Sequence, residues 1–173
     1  AERVDVRQLL ENVTAMLRPV REAGAVDEKT DIRLAVSGRK ITPEAFMASG
    51  HEDRLAQVII NLVENARSFA PAKDGIVRLD LKRAGADIIL TVEDNGPGIP
   101  EENLERIFER FYRVDPGRSR DMGGTGLGLS IVKHLVEAMR GDVGVKARSP
   151  KGSNFWFTVP DGGVADETLS GES

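Results

Sequence analysis

The sequence predicts an α+β fold, a two-layer α/β sandwich in which a mixed sheet is covered on one face by helices. Three observations lead there. Apolar residues recur at three- and four-residue spacing in three separated stretches, as on the buried stripe of a helix. Other stretches alternate apolar and polar residues, as half-buried strands do. The two kinds mix along the chain without a regular βαβ order, which argues against a doubly wound parallel sheet.

In chain order, Val4, Asp5 and Val6 alternate as a short strand. Leu9, Leu10, Val13, Met16, Leu17 and Val20 then follow at helical spacing, and Gly24 ends that helix. Residues 32–36 alternate as a strand, and 41–50 read as a short strand and a turn. The helix over 52–70 is the clearest element. Leu55, Val58, Ile59, Leu62, Val63, Ala66 and Phe69 form one apolar stripe, and Pro71 stops it. Strands over 76–82 and 88–93 flank a turn at 84–87 and pair antiparallel. Pro100 opens a short helix to Phe108. Residues 112–124 lack periodicity and read as a mobile loop. A helix over 125–139 and strands over 143–147 and 154–159 complete the domain, 1–160. The tail over 161–173 is polar and acidic and reads as disordered.

The 173 residues are enough for one domain with a proper core. Charged residues make up 30% but are mixed in sign, with a net charge of −4, which argues against a nucleic-acid partner. The absence of cysteine excludes disulfides and thiolate chemistry, and fits a cytosolic address. No apolar run approaches the roughly 18 residues of a membrane span. A start at Ala1, with no Met, reads as a piece of a longer chain, whose parent can still be membrane-anchored.

Three stretches carry chemistry. On the long helix, Asn61, Glu64, Asn65 and Ser68 share one side. Two asparagines and a glutamate there can hold a hydrated Mg²⁺, an oxygen-seeking ion; alone, the stripe reads more simply as a solvated face. Asparagine is a poor helix former, so two at i and i+4 need a reason. Directly after a strand comes Asp94-Asn95-Gly96-Pro97-Gly98-Ile99. It is a strong turn sequence, and its carboxylate can also accept a hydrogen bond from a base amine. Third is Gly123-Gly124-Thr125-Gly126-Leu127-Gly128-Leu129-Ser130, with four glycines at the mouth of a helix. It lacks the Lys-Ser/Thr pair of a P-loop and the leading strand of a dinucleotide fingerprint. Glycines at a helix start bare N–H groups to an anion, although a hinge has the same composition.

The order of an Asn-rich helix, then "DNGPGI", "IFERFY", "GGTGLGLSIVK" and "GSNFWF" resembles the catalytic and ATP-binding domain of bacterial two-component sensor histidine kinases, within the GHKL ATPase superfamily. The resemblance spans 4–160 and implies the Bergerat ATP-binding fold with a flexible ATP lid. It implies ATP and Mg²⁺ as cofactors, and transfer of the γ-phosphoryl group to a histidine on a separate dimerisation domain, which is absent here. The activity implied is that of a protein-histidine kinase not competent alone. The partners implied are that phosphotransfer domain and, through the whole kinase, a response regulator. The piece itself is expected to be monomeric, and its parent a homodimer with this domain on the cytoplasmic side of an inner membrane. Two rival readings remain: an ATP-sensing module of a degenerate kinase, or another GHKL-type ATPase or serine kinase.

By resemblance, Asn65 is the Mg²⁺ ligand. Asn61 stands where hydrolytic relatives such as gyrase carry a general-base glutamate, and an amide cannot take a proton from water. Asp94 matches the adenine-recognising aspartate, with Gly96, Gly98 and Ile99 shaping that wall. Phe108 and Phe111 match the F box, whose phenylalanines serve equally as core, and Tyr112 and Arg113 follow. Gly124, Thr125, Gly126, Leu127, Gly128 and Leu129 lie on the phosphate side. Ser153 helps hold the base, while Phe155 and Phe157 are expected in the core. One departure stands out. Many members carry a lysine three residues after the Mg²⁺ asparagine, and here that position is Ser68. Arg67 is adjacent but about 100° around the helix. Arg113, Arg118 or Arg120 can supply the missing cation. His51 and His134 lie in neither context of a phospho-acceptor histidine and are expected to be structural or surface residues.

Overall fold

The computed structural model describes residues 2–17, 30–36, 47–71, 75–109, 128–148 and 151–160. A five-stranded sheet runs in the order β2 (Thr30–Val36), β4 (Gly75–Ala84), β5 (Asp87–Asp94), β7 (Ser153–Pro160), β6 (Val143–Ala147). Only β2 and β4 are parallel; the other neighbours are antiparallel, so the sheet is mixed. A separate two-stranded sheet joins β1 (Glu2–Asp5) to β3 (Met47–Gly50). The helices are α1 (Val6–Leu17), α2 (Glu52–Phe69) and α3 (Gly128–Ala138).

Alternation along the strands decides which face is covered. Val77, Leu79 and Leu81 of β4, Ile88, Leu90 and Val92 of β5, and Phe155, Phe157 and Val159 of β7 are all buried. The residues between them are half-buried or exposed, so the helices cover one face only. All seven stripe residues of α2 are buried against that face. Each fully buried Leu or Ile contributes about 1.5–3 kcal/mol. Asp53 and Glu52 in its first turn and Arg67 in its last suit the helix dipole. At the far end of α3, Arg140 takes a left-handed φ of 67°. The Gly141 N–H then closes on the Val136 carbonyl at 2.9 Å, which stops the helix.

Two expectations change. Val6 begins a helix rather than ending a strand, because the Asp5 carboxylate accepts the Gln8 N–H at 3.0 Å and caps α1. The helix expected from Pro100 to Phe108 is a single 3₁₀ turn, Glu101–Asn103, followed by further turns. Its backbone bonds, such as Asn103 N–H to the Pro100 carbonyl, all run three residues back. Tertiary packing explains this, since the neighbours Ile107 and Phe108 must both reach the core. The tail over 161–173 lies outside the described residues.

Candidate nucleotide site

The site forms where the ends of β5 and β7 meet α2 and the start of α3. Asp94 is the last residue of β5 and 1% exposed. Its register partner is Ser153, the first residue of β7 and also buried. Sheet pairing therefore sets the carboxylate and the hydroxyl side by side. Asp94 Oδ1 accepts the Gly96 N–H at 2.9 Å, so the chain turns tightly around its own carboxylate. Asn95 Oδ1 accepts the Ile76 N–H at 2.8 Å and ties the turn to β4.

Backbone approaches fix this wall. A Cβ on Gly96 would overlap the Phe69 carbonyl oxygen at the end of α2. Gly152 has φ +109°, and a Cβ there would overlap the Asp94 carbonyl oxygen. Gly98 comes next to the Gly152 carbonyl from the other side. Three segments distant in sequence thus meet with no room for a side chain.

The second half of the site lies between two helices. Asn61 Oδ1 accepts from Gln57 Nε2 at 2.8 Å, and its Nδ2 donates to the Gly128 carbonyl at 3.4 Å. The asparagine therefore reaches the first residue of α3. One turn on, Asn65 has a buried Nδ2 with no hydrogen-bond partner among the described residues. A carboxamide presents either its oxygen or its nitrogen in one place, so this end is a fit for an oxygen-seeking ion. Ser68 turns back on the helix, its hydroxyl donating to the Asn65 carbonyl at 2.7 Å. Arg67 is buried and lies 3.8 Å from the exposed Glu64 carboxylate. Gly128 is exposed, and among the described residues nothing lies within 4 Å of where its Cβ would be.

Of the residues expected at the site, Asp94, Gly96, Gly98 and Ser153 come together on one side, and Asn61 reaches Gly128 on the other. Ile99 is buried in the hydrophobic core, and Leu129 packs against it. Phe108 meets Phe155 edge-to-face, with ring centroids 6.1 Å apart. Phe155 and Phe157 are core residues, as expected, and His51 and His134 are exposed. Phe111, Tyr112, Arg113, Arg118, Arg120, Gly124, Thr125, Gly126 and Leu127 lie outside the described residues. Sequence reasoning missed Gln57 and the contact that Gly152 makes. The i, i+4 spacing from Gln57 to Asn61 was a usable signal for the first. Among the described residues, no cluster of three His, Cys, Asp or Glu side chains could hold a metal. None of their helices is long and apolar enough to cross a membrane.

This geometry has close relatives. The family model for histidine kinase-, DNA gyrase B-, and HSP90-like ATPases matches residues 50–163. The sensor protein ChvG of Rhizobium meliloti is 39% identical over 169 residues, which cover 94% of this chain and 28% of that protein. The sensor histidine kinase AruS of Pseudomonas aeruginosa is 41% identical over 172 residues, covering 96% of this chain and 16% of that protein. Full-length ShkA, solved in complex with AMPPNP, matches with a TM-score of 0.69 at 31% identity, covering 92% of this chain and 30% of that one. The chain thus spans only 16% to 28% of the length of these two sensor proteins. With the family matched over most of its length, and with sensor histidine kinases as its relatives, the chain belongs to the histidine kinase-, DNA gyrase B- and HSP90-like ATPases as a histidine kinase-type ATPase domain.

Proposed function

We propose that residues 1–160 bind Mg–ATP with the adenine against Asp94 and Ser153 and the phosphates toward the start of α3. The γ-phosphoryl group then passes to a histidine on a separate dimerisation domain of a longer sensor kinase. The observation that carries this reading is the buried Asp94 carboxylate at a strand end, walled by backbone. An adenine amino group donates to such a carboxylate, whereas guanine offers an acceptor there and is repelled. Asn65 would hold Mg²⁺, which when bound neutralises charge on the β- and γ-phosphates. The cation missing at Ser68 falls to Arg113, Arg118 or Arg120, with Gly124, Thr125 and Gly126 beside the phosphates.

In the transfer step, the histidine's imidazole nitrogen attacks the γ-phosphorus. The bond from that phosphorus to the β,γ-bridging oxygen breaks, and ADP leaves with the electron pair. Such a reaction needs positioning and charge neutralisation more than covalent chemistry from this domain. Asn61 supports slow hydrolysis, since its amide cannot deprotonate water. In the longer protein the domain lies on the cytoplasmic side of an inner membrane, and a response regulator receives the phosphoryl group from the histidine.

Calorimetric titration of the chain with Mg–ATP and Mg–GTP tests the base pocket. Wild type should prefer ATP, and Asp94→Asn should weaken ATP about 10- to 100-fold, as loss of a charged hydrogen bond does. Equal affinity for both nucleotides in the wild type would sink the reading. A second reading, an ATP-sensing module without transfer, is favoured by one observation: the Ser68 hydroxyl is turned back onto the Asn65 carbonyl. Adding a dimerisation domain and radioactive ATP separates the two. Alkali-stable label on the histidine supports the kinase; none under Mg²⁺ leaves the sensor.

A further inference from the structure

Directly behind the base wall, on the opposite face of the sheet, lies a polar network that the nucleotide reading does not use. Glu93 and Asn154 precede and follow the pocket residues Asp94 and Ser153, and are themselves register partners. Strand alternation turns their side chains away from the pocket. Asn154 Nδ2 donates to Glu93 Oε2 at 2.9 Å. Arg148 Nε lies 3.4 Å from the other carboxylate oxygen, Oε1. Both oxygens of Glu93 are therefore engaged, one by Asn154 of β7 and the other by Arg148, the residue after β6.

Arg148 also organises the turn between β6 and β7. Its backbone N–H donates to the Gly152 carbonyl at 3.1 Å, and its Nη1 donates to the Lys151 carbonyl at 3.2 Å. One side chain thus grips Lys151, immediately before Gly152, and Glu93, immediately before Asp94. Gly152 in turn presses its α-carbon onto the Asp94 carbonyl, where no Cβ fits. Gly98 of the same wall lies beside the Gly152 carbonyl that accepts from Arg148.

We propose that Arg148, acting through Glu93, Lys151 and Gly152, is a positioning residue that sets the purine selectivity of the pocket. It never touches the base. It holds the Gly152 backbone at a fixed offset from Asp94, and that offset fixes where the carboxylate meets the purine edge. Asn154 completes the network by orienting Glu93. Small misplacements of a recognition group cost selectivity well before they cost folding. This inference rests on the adenine-pocket reading above.

The test uses the intact chain and three ligands with Mg²⁺: ATP, GTP and inorganic tripolyphosphate. Arg148→Gln should lower the ATP-over-GTP preference about fivefold to tenfold while tripolyphosphate affinity holds. Glu93→Gln, which keeps the bond from Asn154 but loses the charge, should do the same to a smaller degree. Arg148→Lys should recover part of the preference. Thermal melts establish that each variant is folded. An unchanged preference in folded Arg148→Gln and Glu93→Gln overturns the network. So does an equal loss for all three ligands, which would mark a purely structural role. A wild type without preference for ATP overturns the pocket reading and the network with it.

Discussion

The two halves of the proposed site are built by different means. On the base side, Asp94 and Ser153 are set by sheet register, and Gly96 and Gly152 are pressed against backbone with no space for a Cβ. On the proposed phosphate side, Asn61 spans to Gly128 by a single long hydrogen bond, and among the described residues nothing stands where a Gly128 Cβ would be. Backbone register cannot adjust by a few tenths of an ångström, whereas a side-chain bond between two helices can. The base wall is therefore a fixed template. On the proposed phosphate side, the buried Asn65 amide nitrogen has no hydrogen-bond partner among the described residues, as a group kept for a ligand would.

The largest expected effect comes from breaking the fixed half. Gly152→Ala adds a Cβ at φ +109°, against the Asp94 carbonyl oxygen. Strained backbone and a steric overlap together should cost about 2–4 kcal/mol. That corresponds to a fall of roughly 6–12 °C in the melting midpoint for a chain of this size. ATP binding should be lost as well, because the strand ends must part. A melt within about 2 °C of wild type would show that the wall has slack, and the contrast between the halves would fail.

Asn65→Ala is the intermediate case and acts on the adaptable half. Its buried amide nitrogen makes no hydrogen bond, so removing the side chain should leave stability within about 1 kcal/mol. The effect should show in the metal dependence. Wild type should bind ATP more tightly with Mg²⁺ than with EDTA, and the variant should lose most of that difference. Equal Mg²⁺ enhancement in both proteins would remove Asn65 from the ligand set.

The scaffold was more legible than the contacts that join its parts. The helix read over 52–70 is observed as Glu52–Phe69, because seven apolar residues on one stripe leave a single way to bury it. The hairpin read over 76–93 is observed as Gly75–Ala84 and Asp87–Asp94, its ends differing by a residue or two. What escaped depends on distant partners. The short strand read within 41–50 is observed as β3, Met47–Gly50, but its partner β1 lies more than forty positions away and no local pattern names that pairing. The turns after Pro100 follow the needs of Ile107 and Phe108 in the core rather than local propensity. At the site, Asp94 and Gly96 stood out by composition. The grip of Gly152 on Asp94 joins residues 58 apart (152 − 94), and no local pattern announces it.

The smallest effect should be the most discriminating. Gly128 opens α3, and among the described residues nothing lies within 4 Å of where its Cβ would stand. Alanine is the better helix former, so Gly128→Ala should stabilise the free protein by about 0.5 kcal/mol. If phosphates approach this backbone, the same methyl group should weaken Mg–ATP by about threefold, roughly 0.6 kcal/mol. Stability and affinity would then move in opposite directions from one substitution. That is the signature of a glycine kept for a ligand. On the base side, Gly152→Ala should lower both together, the signature of a glycine kept for the fold. Parallel melts and titrations of the two variants measure that difference in sign. A gain of stability in Gly128→Ala with unchanged affinity would move the phosphates away from the start of α3.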